Sequence, residues 1–283
     1  MKNTYLDLIQ QTFYFPQDGF EVKNNYLYFH GIPLKQLIEE YETPMRITYL
    51  PKISENIQRA KKYFNDAIRK LNYPGNYNYC YCTKSSHFAH VLVEALKNDI
   101  YLETSSAFDI DIIERLYLNK MLNKDTLIVC NGFKTKIYTQ RISKLANLDF
   151  NIMPVLDNME ELEAYENTII YDCDLGIRIA SEEQPEFQLY TSRLGIRYKE
   201  IKDFYLNKIK PNPKFKLKML HFFINSGIKD NIYYWNELSK LLKVYVELKR
   251  VCPELDSLNI GGGWPFRSSL GFEYDYAYMA EEI

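Results

Sequence analysis

Short apolar or β-branched runs alternate with amphipathic stretches along the chain from about residue 43 onward. Met45–Leu50 is the first such run, and it precedes a long helical stretch at Ile53–Leu71. This alternation predicts a parallel sheet whose strands are joined by helices. An unbroken series of this length favours a (β/α)8 barrel over an open sheet, in which we would expect a topological switch. The further strands predicted are Tyr79–Lys84, Ile100–Thr104, Thr126–Cys130, Ile152–Leu156, Leu175–Ala180, Lys218–Ile224 and Leu258–Ile260.

Helical periodicity fills the intervals between these strands. The strands from Tyr79–Lys84 to Leu258–Ile260 give about seven barrel strands, one short of the eight that a complete barrel needs. The chain ends in Tyr274–Ile283, an amphipathic stretch without a helix stop signal. We therefore expect a C-terminally truncated α/β barrel that lacks its eighth strand. The helices predicted are His87–Leu96, Ala107–Leu116, Thr135–Leu145, Met159–Tyr165 and Tyr233–Val251.

The first 45 residues follow a different pattern. They contain the strand-like aromatic run Tyr26–Phe29 among turn signals such as Asp18-Gly19, and then a short helical stretch at Leu34–Tyr41. We predict an N-terminal arm at residues 1–45 that packs on the main domain and belongs with a further β domain outside residues 1–283, and an incomplete barrel domain at residues 46–283.

The overall charge and the cysteines narrow the function further. The 283 residues include 35 Lys and Arg against 37 Asp and Glu, a net charge of -2, which argues against a nucleic-acid partner or a basic membrane-binding patch. No apolar run reaches the ~20 residues of a membrane span, and the N-terminus has no signal-peptide core. The five cysteines are not spaced as metal knuckles, so we expect reduced, mostly buried thiols, no metal and a cytoplasmic protein.

Barrels of this kind place their chemistry at the C-terminal ends of the strands. In this chain a lysine, acids, an arginine and a triple glycine would meet on that rim. Such a set of residues is suited to a site that binds a phosphate and reacts with an amine. The residues at the predicted strand ends are Lys84, Glu103, Asn131-Gly132, Asp157, Arg178, Asn225–Gly227 and Gly261–Gly263.

Two of these features each admit a plainer interpretation. Gly261–Gly263 would let backbone N–H groups approach a phosphate closely, but a sharp turn without a ligand would also use glycine. No Walker loop is present there, because no Gly-Lys-Ser/Thr follows. Lys84 in a barrel mouth is a candidate for a covalent bond to a carbonyl compound, whereas a solvated lysine on the rim is the ordinary alternative.

Taken in order, these residues resemble the motifs of the barrel-fold (fold type III) decarboxylases that use pyridoxal phosphate. The family includes ornithine, diaminopimelate and biosynthetic arginine decarboxylases, with alanine racemase more distant. Tyr81–Ser86 is similar to the family's Tyr-Ala-Val-Lys-Ala-Asn, whose lysine bonds to the cofactor, and this implies that role for Lys84. Glu103 and Asp109 keep the spacing of the two acids that follow the next strand.

The later motifs extend the resemblance over residues 43–283. Ile128–Lys134 is especially similar to the Ile-Cys-Asn-Gly-Tyr-Lys of arginine decarboxylases. Gly176–Ile179 corresponds to a Leu-Arg-Ile strand and places Arg178 on the rim, and Ser192–Gly195 corresponds to Ser-Lys-Phe-Gly. Asn259–Pro265 corresponds to Asp-Ile-Gly-Gly-Gly-Phe-Pro, so Gly261, Gly262 and Gly263 are the expected phosphate loop.

One motif departs from the family. The family has Leu-His-Phe-His-Val-Gly-Ser, whose second histidine stacks on the pyridine ring, and this chain has Leu220–Ser226 with Phe223 in that place. A phenyl ring can still stack on the cofactor, but it cannot donate a proton. His221 is expected one layer deeper in the barrel, and Ser226 beside the phosphate.

The resemblance implies a barrel of the alanine racemase type and the α-decarboxylation of a basic amino acid. Arginine, converted to agmatine for polyamine synthesis, is the first expectation. Lys84, Glu103 and Arg178 would be catalytic, and Phe223, Ser226 and the three glycines would hold pyridoxal 5'-phosphate. A second β domain, absent from residues 1–283, and a homodimer or higher homo-oligomer would complete the site, so residues 1–283 alone are expected to be inactive.

Two alternatives stay open on the sequence. The substrate could instead be ornithine, lysine, diaminopimelate or carboxynorspermidine. The protein could also be a non-catalytic, cofactor-binding or regulatory relative. Phe223 and Asn259 leave this alternative open, because both differ from the residues of the family motifs.

Overall fold

The computed structural model describes residues 19–183, 190–191, 194–224, 228, 231–266 and 273–283. The chain divides into two compact units. The first unit combines the described parts of Met1–Tyr49 and Pro265–Ile283, and the second unit is Leu50–Trp264. The assignment of residues 1–45 as an arm that belongs with a further β domain stays a prediction.

The first unit contains a small antiparallel sheet. Its strands are β1 (Phe20–Lys23), β2 (Tyr26–Phe29) and β3 (Ile32–Pro33), followed by helix α1 (Leu34–Tyr41). The β1–β2 turn has φ 51° at Asn24 and 64° at Asn25, as a two-residue type I′ hairpin requires, and asparagine tolerates that geometry well. Helix α9 (Tyr276–Glu282) also belongs to this unit.

The second unit contains a seven-stranded sheet in which every strand pair is parallel. Its strands are β4 (Cys80–Cys82), β5 (Tyr101–Thr104), β6 (Ile128–Cys130), β7 (Ile152–Leu156), β8 (Cys173–Arg178), β11 (Phe215–His221) and β12 (Ser257–Asn259). They are ordered β12-β11-β8-β7-β6-β5-β4, so consecutive strands of this sheet lie side by side. This order is that of a barrel wall, and the described strands show no switch point.

Helices connect the strands. Helix α2 begins at Pro51, where a proline is tolerated because the first helical N–H needs no intrahelical partner. The helices of this unit are α2 (Pro51–Leu71), α3 (Ala89–Leu96), α4 (Ala107–Leu118), α5 (Lys136–Asn147), α6 (Glu161–Thr168), α7 (Tyr198–Phe204) and α8 (Asn231–Lys249). No helix within the described ranges is long and apolar enough to cross a membrane.

The sheet curls strongly, as a barrel wall does. Glu103 of β5 and Asn259 of β12 are separated by four intervening strands, so a flat sheet would hold them about 24 Å apart. They are joined instead by a hydrogen bond of 2.9 Å. Val129, Met153 and Met219, from three different strands, form one buried apolar cluster of the same sheet. The end of the curled sheet at which Glu103 and Asn259 meet is called the mouth below.

An aromatic group packs beside the two outer strands. Trp264, which follows β12 in the chain, lies edge-on to Phe64 of helix α2, with ring centroids 6.1 Å apart. Phe64 in turn stacks on Tyr77, just before β4, at 4.0 Å. The segments next to the two outermost strands of the sheet thus share one packed cluster.

The structure corrects several predicted elements. Met45–Leu50 is not a strand: residues 46–48 are exposed and residues 45–49 have no regular structure, and no strand in the described part of the chain pairs with this run. The strand predicted at Lys218–Ile224 is observed three residues earlier, at Phe215–His221. Helix α7, its π-helical continuation Tyr205–Ile209 and the short pair β9 (Glu182–Glu183) and β10 (Tyr190–Thr191) were not predicted.

Candidate active site

Glu103 lies at the centre of the polar mouth. Asn131 donates from its side-chain nitrogen Nδ2 to Oε1 at 3.3 Å, and Asn259 donates from Nδ2 to Oε2 at 2.9 Å. The Cys82 thiol lies 3.7 Å from Oε1. Each carboxylate oxygen therefore has a side-chain partner, and the carboxylate is held in one orientation.

Lys84 is presented to the mouth by a short turn rather than by a strand. Strand β4 stops at Cys82, and Thr83–Ser85 form a single 3₁₀ turn. The buried Thr83 hydroxyl donates to the Glu103 carbonyl at 3.1 Å, and the Ser85 hydroxyl donates to the Cys82 carbonyl at 2.7 Å. These two bonds fix the backbone on either side of Lys84, whose long side chain stays exposed and free to reach a ligand.

Phe223 lies directly beyond the end of β11 and is approached by two cations. The Lys84 ammonium is 4.3 Å from its ring centroid, and the Arg178 guanidinium carbon is 5.9 Å away. Both distances are within the range of a cation–π interaction. The structure thus brings together three residues predicted for the site, and Phe223 is half-buried between them.

Arg178 ends strand β8 in a buried position with incomplete hydrogen bonding. Its Nη1 is 3.7 Å from a carboxylate oxygen of the equally buried Asp157. Among the described residues, neither the Arg178 Nε nor either Asp157 carboxylate oxygen has a hydrogen-bond partner. Buried polar groups are normally satisfied, so these atoms indicate a place where a polar group or water completes the site.

The glycine loop, Gly261–Gly263, follows β12 at the same mouth. Gly261 has φ 70°, and a Cβ there would lie 2.6 Å from the Phe222 carbonyl oxygen, so the backbone itself requires glycine. A Cβ at Gly262 would meet nothing within 4 Å. Glycine at that position is therefore not needed for packing, and the open space in front of it is large enough for a ligand atom to approach the backbone.

His221 is buried below the mouth. Its Nδ1 is 3.2 Å from the Asn259 carbonyl oxygen, which can only accept, so Nδ1 carries the proton. Burial lowers the pKa of this imidazole more than the Glu103 carboxylate raises it, and the Arg178 charge lowers it as well. We conclude that His221 is a neutral structural link between β11 and β12.

The Cys82 thiol is not activated by its neighbours. Burial raises its pKa to about 12, and the Glu103 carboxylate raises it as well. Because only the thiolate is a strong nucleophile, Cys82 is an inert thiol at physiological pH.

Lys134, from the stretch that resembles arginine decarboxylases, points away from the mouth. Its ammonium is fully buried, donates to the Gly132 and Val155 carbonyls and lies 3.5 Å from the Glu161 carboxylate. Burial raises the pKa of Glu161. This lysine holds the loop after β6 against β7, so its contacts are structural.

A cavity of about 420 Å³ opens beside Lys84. It lies between the turn that carries Lys84 and the first turn of helix α4. Asp109 accepts from the Ser105 backbone nitrogen at 2.9 Å and so shapes its wall. The cavity is lined by Lys84, His87, Ser105, Ser106, Phe108, Asp109 and Ile112.

The predicted site residues are thus largely gathered in one place. Lys84, Glu103, Arg178, Phe223 and the glycine loop share the mouth, whereas Ser226 lies outside the described residues. Sequence reasoning did not identify Asn131 and Asn259 as the partners of Glu103. Their position at the ends of β6 and β12 was the available signal, but the curl of the sheet was needed to place both against one carboxylate.

A family model of the pyridoxal-binding domain of pyridoxal-dependent decarboxylases matches residues 51–278. The chain is 23% identical over 263 residues to the biosynthetic arginine decarboxylase of Vibrio vulnificus, covering 87% of this chain and 40% of that protein. It is 25% identical over 266 residues to the biosynthetic arginine decarboxylase of Citrifermentans bemidjiense, with the same coverage. The chain thus spans about two fifths of the length of these relatives.

Solved structures share the fold. The biosynthetic arginine decarboxylase of Campylobacter jejuni matches with a TM-score of 0.73 at 21% identity, over 93% of this chain and 46% of that one. A diaminopimelate decarboxylase from M. jannaschii in complex with L-lysine matches with a TM-score of 0.76 at 16% identity, over 93% of this chain and 61% of that one. A lysine decarboxylase structure with pyridoxal phosphate and cadaverine, from the SrLDC series, has a TM-score of 0.70 at 18% identity, over 92% of this chain and 60% of that one.

Proposed function

The chain belongs to the pyridoxal-dependent decarboxylases, and on that premise we propose that it is the cofactor-binding part of an enzyme that removes the α-carboxyl group of a basic amino acid. Arginine, giving agmatine for polyamine synthesis, is the substrate that we favour. Two relatives named biosynthetic arginine decarboxylase support this choice. The observation that carries the proposal is the convergence of Lys84 and Arg178 on the Phe223 ring, beside an open glycine loop.

The residues present fit pyridoxal phosphate. The open space at Gly262 would admit a phosphate against the backbone, and Ser226 would add a hydroxyl. Phe223 would pack against the flat ring, and the Lys84 amine would bond to the cofactor. The unpartnered Arg178 Nε offers a donor at the same mouth. When bound, the cofactor supplies the electron sink for the bond that breaks.

Three side chains of the mouth would set the charge around the cofactor and hold it in orientation. Glu103 would hold a proton acceptor in one orientation at the mouth, because two asparagines fix its carboxylate. Arg178 would place a positive charge on the same side of the mouth, backed by Asp157. Phe223 cannot move a proton, so any proton transfer on that face falls to another group.

We propose further that residues 1–283 act within a longer cytoplasmic protein that forms a homodimer or higher homo-oligomer. The coverage of about two fifths of its relatives supports a longer protein. In the family that the motifs resemble, a second β domain and the symmetry-related subunit complete the pocket. The partner set would then be an amino acid and a second copy of the chain.

A non-catalytic cofactor-binding relative is the second candidate. Phe223 favours it, because a phenyl ring replaces an imidazole at the face of the cofactor. Phe223 itself can still stack, so cofactor binding alone does not separate the two candidates.

The test is a substrate screen of the full-length protein with added pyridoxal phosphate, in which carbon dioxide release is measured. Arginine, ornithine, lysine, diaminopimelate and carboxynorspermidine are compared, with Lys84→Ala as the inactive control. If carbon dioxide is released fastest from arginine, the proposal is supported. If it is released fastest from another amino acid, that amino acid is the substrate and the choice of arginine is wrong. Cofactor bonded to Lys84 without any release supports the non-catalytic candidate.

Residues 1–283 alone should release no carbon dioxide at a useful rate, and turnover like that of the longer protein would contradict that expectation.

A further inference from the structure

Asn259 uses both ends of its side-chain amide. Its Oδ1 accepts from the Gly261 backbone nitrogen at 3.0 Å, and its Nδ2 donates to Glu103 Oε2 at 2.9 Å. One amide thus connects the first residue of the glycine loop to the carboxylate at the centre of the mouth. Its backbone carbonyl also accepts from Phe222 N at 3.2 Å, so the residue is held in place from the neighbouring strand.

Asn131 makes a similar pair of bonds on the other side of Glu103. Its Oδ1 accepts from Gly132 N at 3.0 Å, and its Nδ2 donates to Glu103 Oε1 at 3.3 Å. Gly132 has φ 79° and Gly261 has φ 70°, so each amide supports a glycine turn in the left-handed region. Of the two asparagines, Asn259 is the one bonded to the glycine loop.

The chemistry of the position selects an amide. A carboxylate can only accept hydrogen bonds and a backbone N–H can only donate, so a residue that joins them needs both an acceptor and a donor. Aspartate, which the family motif has here, could accept from Gly261 but could not donate to Glu103. Asparagine satisfies both partners at once.

The bond to Asn259 also determines which backbone groups face a ligand. The Gly261 N–H is already used, whereas no described residue accepts from the N–H of Gly262 or of Gly263. Two adjacent N–H groups are thereby left for an anion.

We propose that Asn259 is a positioning residue that couples the glycine loop to the Glu103 carboxylate, so that the loop keeps its anion-binding shape only while Glu103 accepts from Asn259. The identity of the anion, the phosphate of pyridoxal phosphate, rests on the proposed function. The coupling itself is a property of this chain without any ligand.

Hydrogen–deuterium exchange on the cofactor-free, full-length protein tests the coupling directly. Asn259→Asp keeps an acceptor for Gly261 but sets two carboxylates against each other. Their repulsion should displace the side chain at position 259 from the Gly261 N–H, so this amide, which is hydrogen-bonded in the parent, should exchange about tenfold faster, the scale of one lost hydrogen bond. Affinity for pyridoxal phosphate should weaken by a similar factor. Adding Glu103→Gln to Asn259→Asp restores a donor and an acceptor with the roles reversed, and should recover most of both losses.

Asn131→Asp is the matched control, because it disturbs the same carboxylate without touching the glycine loop. It should leave exchange of the Gly261 amide unchanged. Equal acceleration of that amide in both aspartate variants, or no recovery in the double variant, would overturn the coupling. Should Asn259→Asp fail to fold, Glu103→Ala carries the test, since Asn259 then loses its acceptor and the Gly261 amide must exchange faster. Carbon dioxide release by the parent judges the proposed function separately, because the exchange measurement involves no cofactor.

Discussion

The Lys84 ammonium lies 4.3 Å from the centroid of the Phe223 ring. Lys84 follows β4, the outermost strand on one side of the sheet, and Phe223 follows β11, which is next to the outermost strand on the other side. The curl of the sheet therefore creates this pair. The mouth therefore presents an amine and an aromatic face side by side, which are the two groups that a flat ligand with a reactive carbonyl would need.

Lys84 should be the residue that bonds covalently to pyridoxal phosphate. Borohydride reduction of the mixture, followed by peptide mass spectrometry, should find the label on the peptide that contains Lys84. Lys84→Arg keeps a positive charge near Phe223 but should give no label. Label recovered mainly on another lysine would contradict the assignment.

Phe223→Ala should weaken cofactor binding about fivefold to tenfold, because a stacked aromatic pair contributes roughly 1 kcal/mol beyond its buried area. Phe223→His should bind nearly as tightly as the parent. Phe222→Ala is the matched control: Phe222 is 2% exposed, so its loss should lower the free energy of unfolding by about 3–5 kcal/mol instead. Titration with cofactor and chemical denaturation measure the two effects, and unchanged affinity in Phe223→Ala would reduce Phe223 to a packing residue.

Gly261 and Gly262 should respond differently to alanine. Gly261→Ala should lower the free energy of unfolding of the cofactor-free protein by about 1–3 kcal/mol, because the new Cβ meets the Phe222 carbonyl at a positive φ. Gly262→Ala should leave unfolding unchanged and weaken cofactor binding, and Gly262→Val should weaken it further. Denaturation without cofactor measures the effect on stability, and titration with cofactor measures the effect on binding. If Gly262→Val binds the cofactor as tightly as the parent, the phosphate does not bind at this loop.

Lys134→Ala should lower the free energy of unfolding by about 3–5 kcal/mol, because it leaves the buried Glu161 without its cation. Lys136→Ala, at an exposed position two residues later, should have little effect. Since the contacts of Lys134 are structural, neither change should alter which amino acid releases carbon dioxide fastest. A changed substrate preference in Lys134→Ala would show that this stretch contributes to substrate choice.

His221 should make the fold sensitive to acid. Burial holds the imidazole pKa below the ordinary 6.5, so the unfolded chain binds a proton that the folded chain does not. The free energy of unfolding should therefore fall as the pH drops through 6.5, and the contribution of this residue should be constant above it. His221→Gln should flatten that dependence between pH 7.5 and about pH 5. An equally steep fall in the variant would assign the effect to other groups.

The sequence predicts the strand–helix order well, because fully buried strands such as Ile152–Leu156 stand out as apolar runs. It predicts Met45–Leu50 wrongly, since an apolar run shows only that a strand could form and not whether a neighbour exists. Helix α7 was missed between β8 and β11. The positions of Lys84, Glu103 and Arg178 near strand ends were available from the motifs, but the partnership of Glu103 with Asn259 depends on the curl of the whole sheet.

The hydrogen bond between Glu103 and Asn259 also has a kinetic meaning. It joins residues 156 positions apart, and the four strands that lie between β5 and β12 in the sheet must be in place before the two side chains can meet. Contacts of such long sequence separation are among the slowest to form, because the intervening chain must be ordered first. We therefore expect the polar mouth to assemble last during folding and to open first during unfolding, so that ligand capture reports the fraction of molecules that have completed their fold.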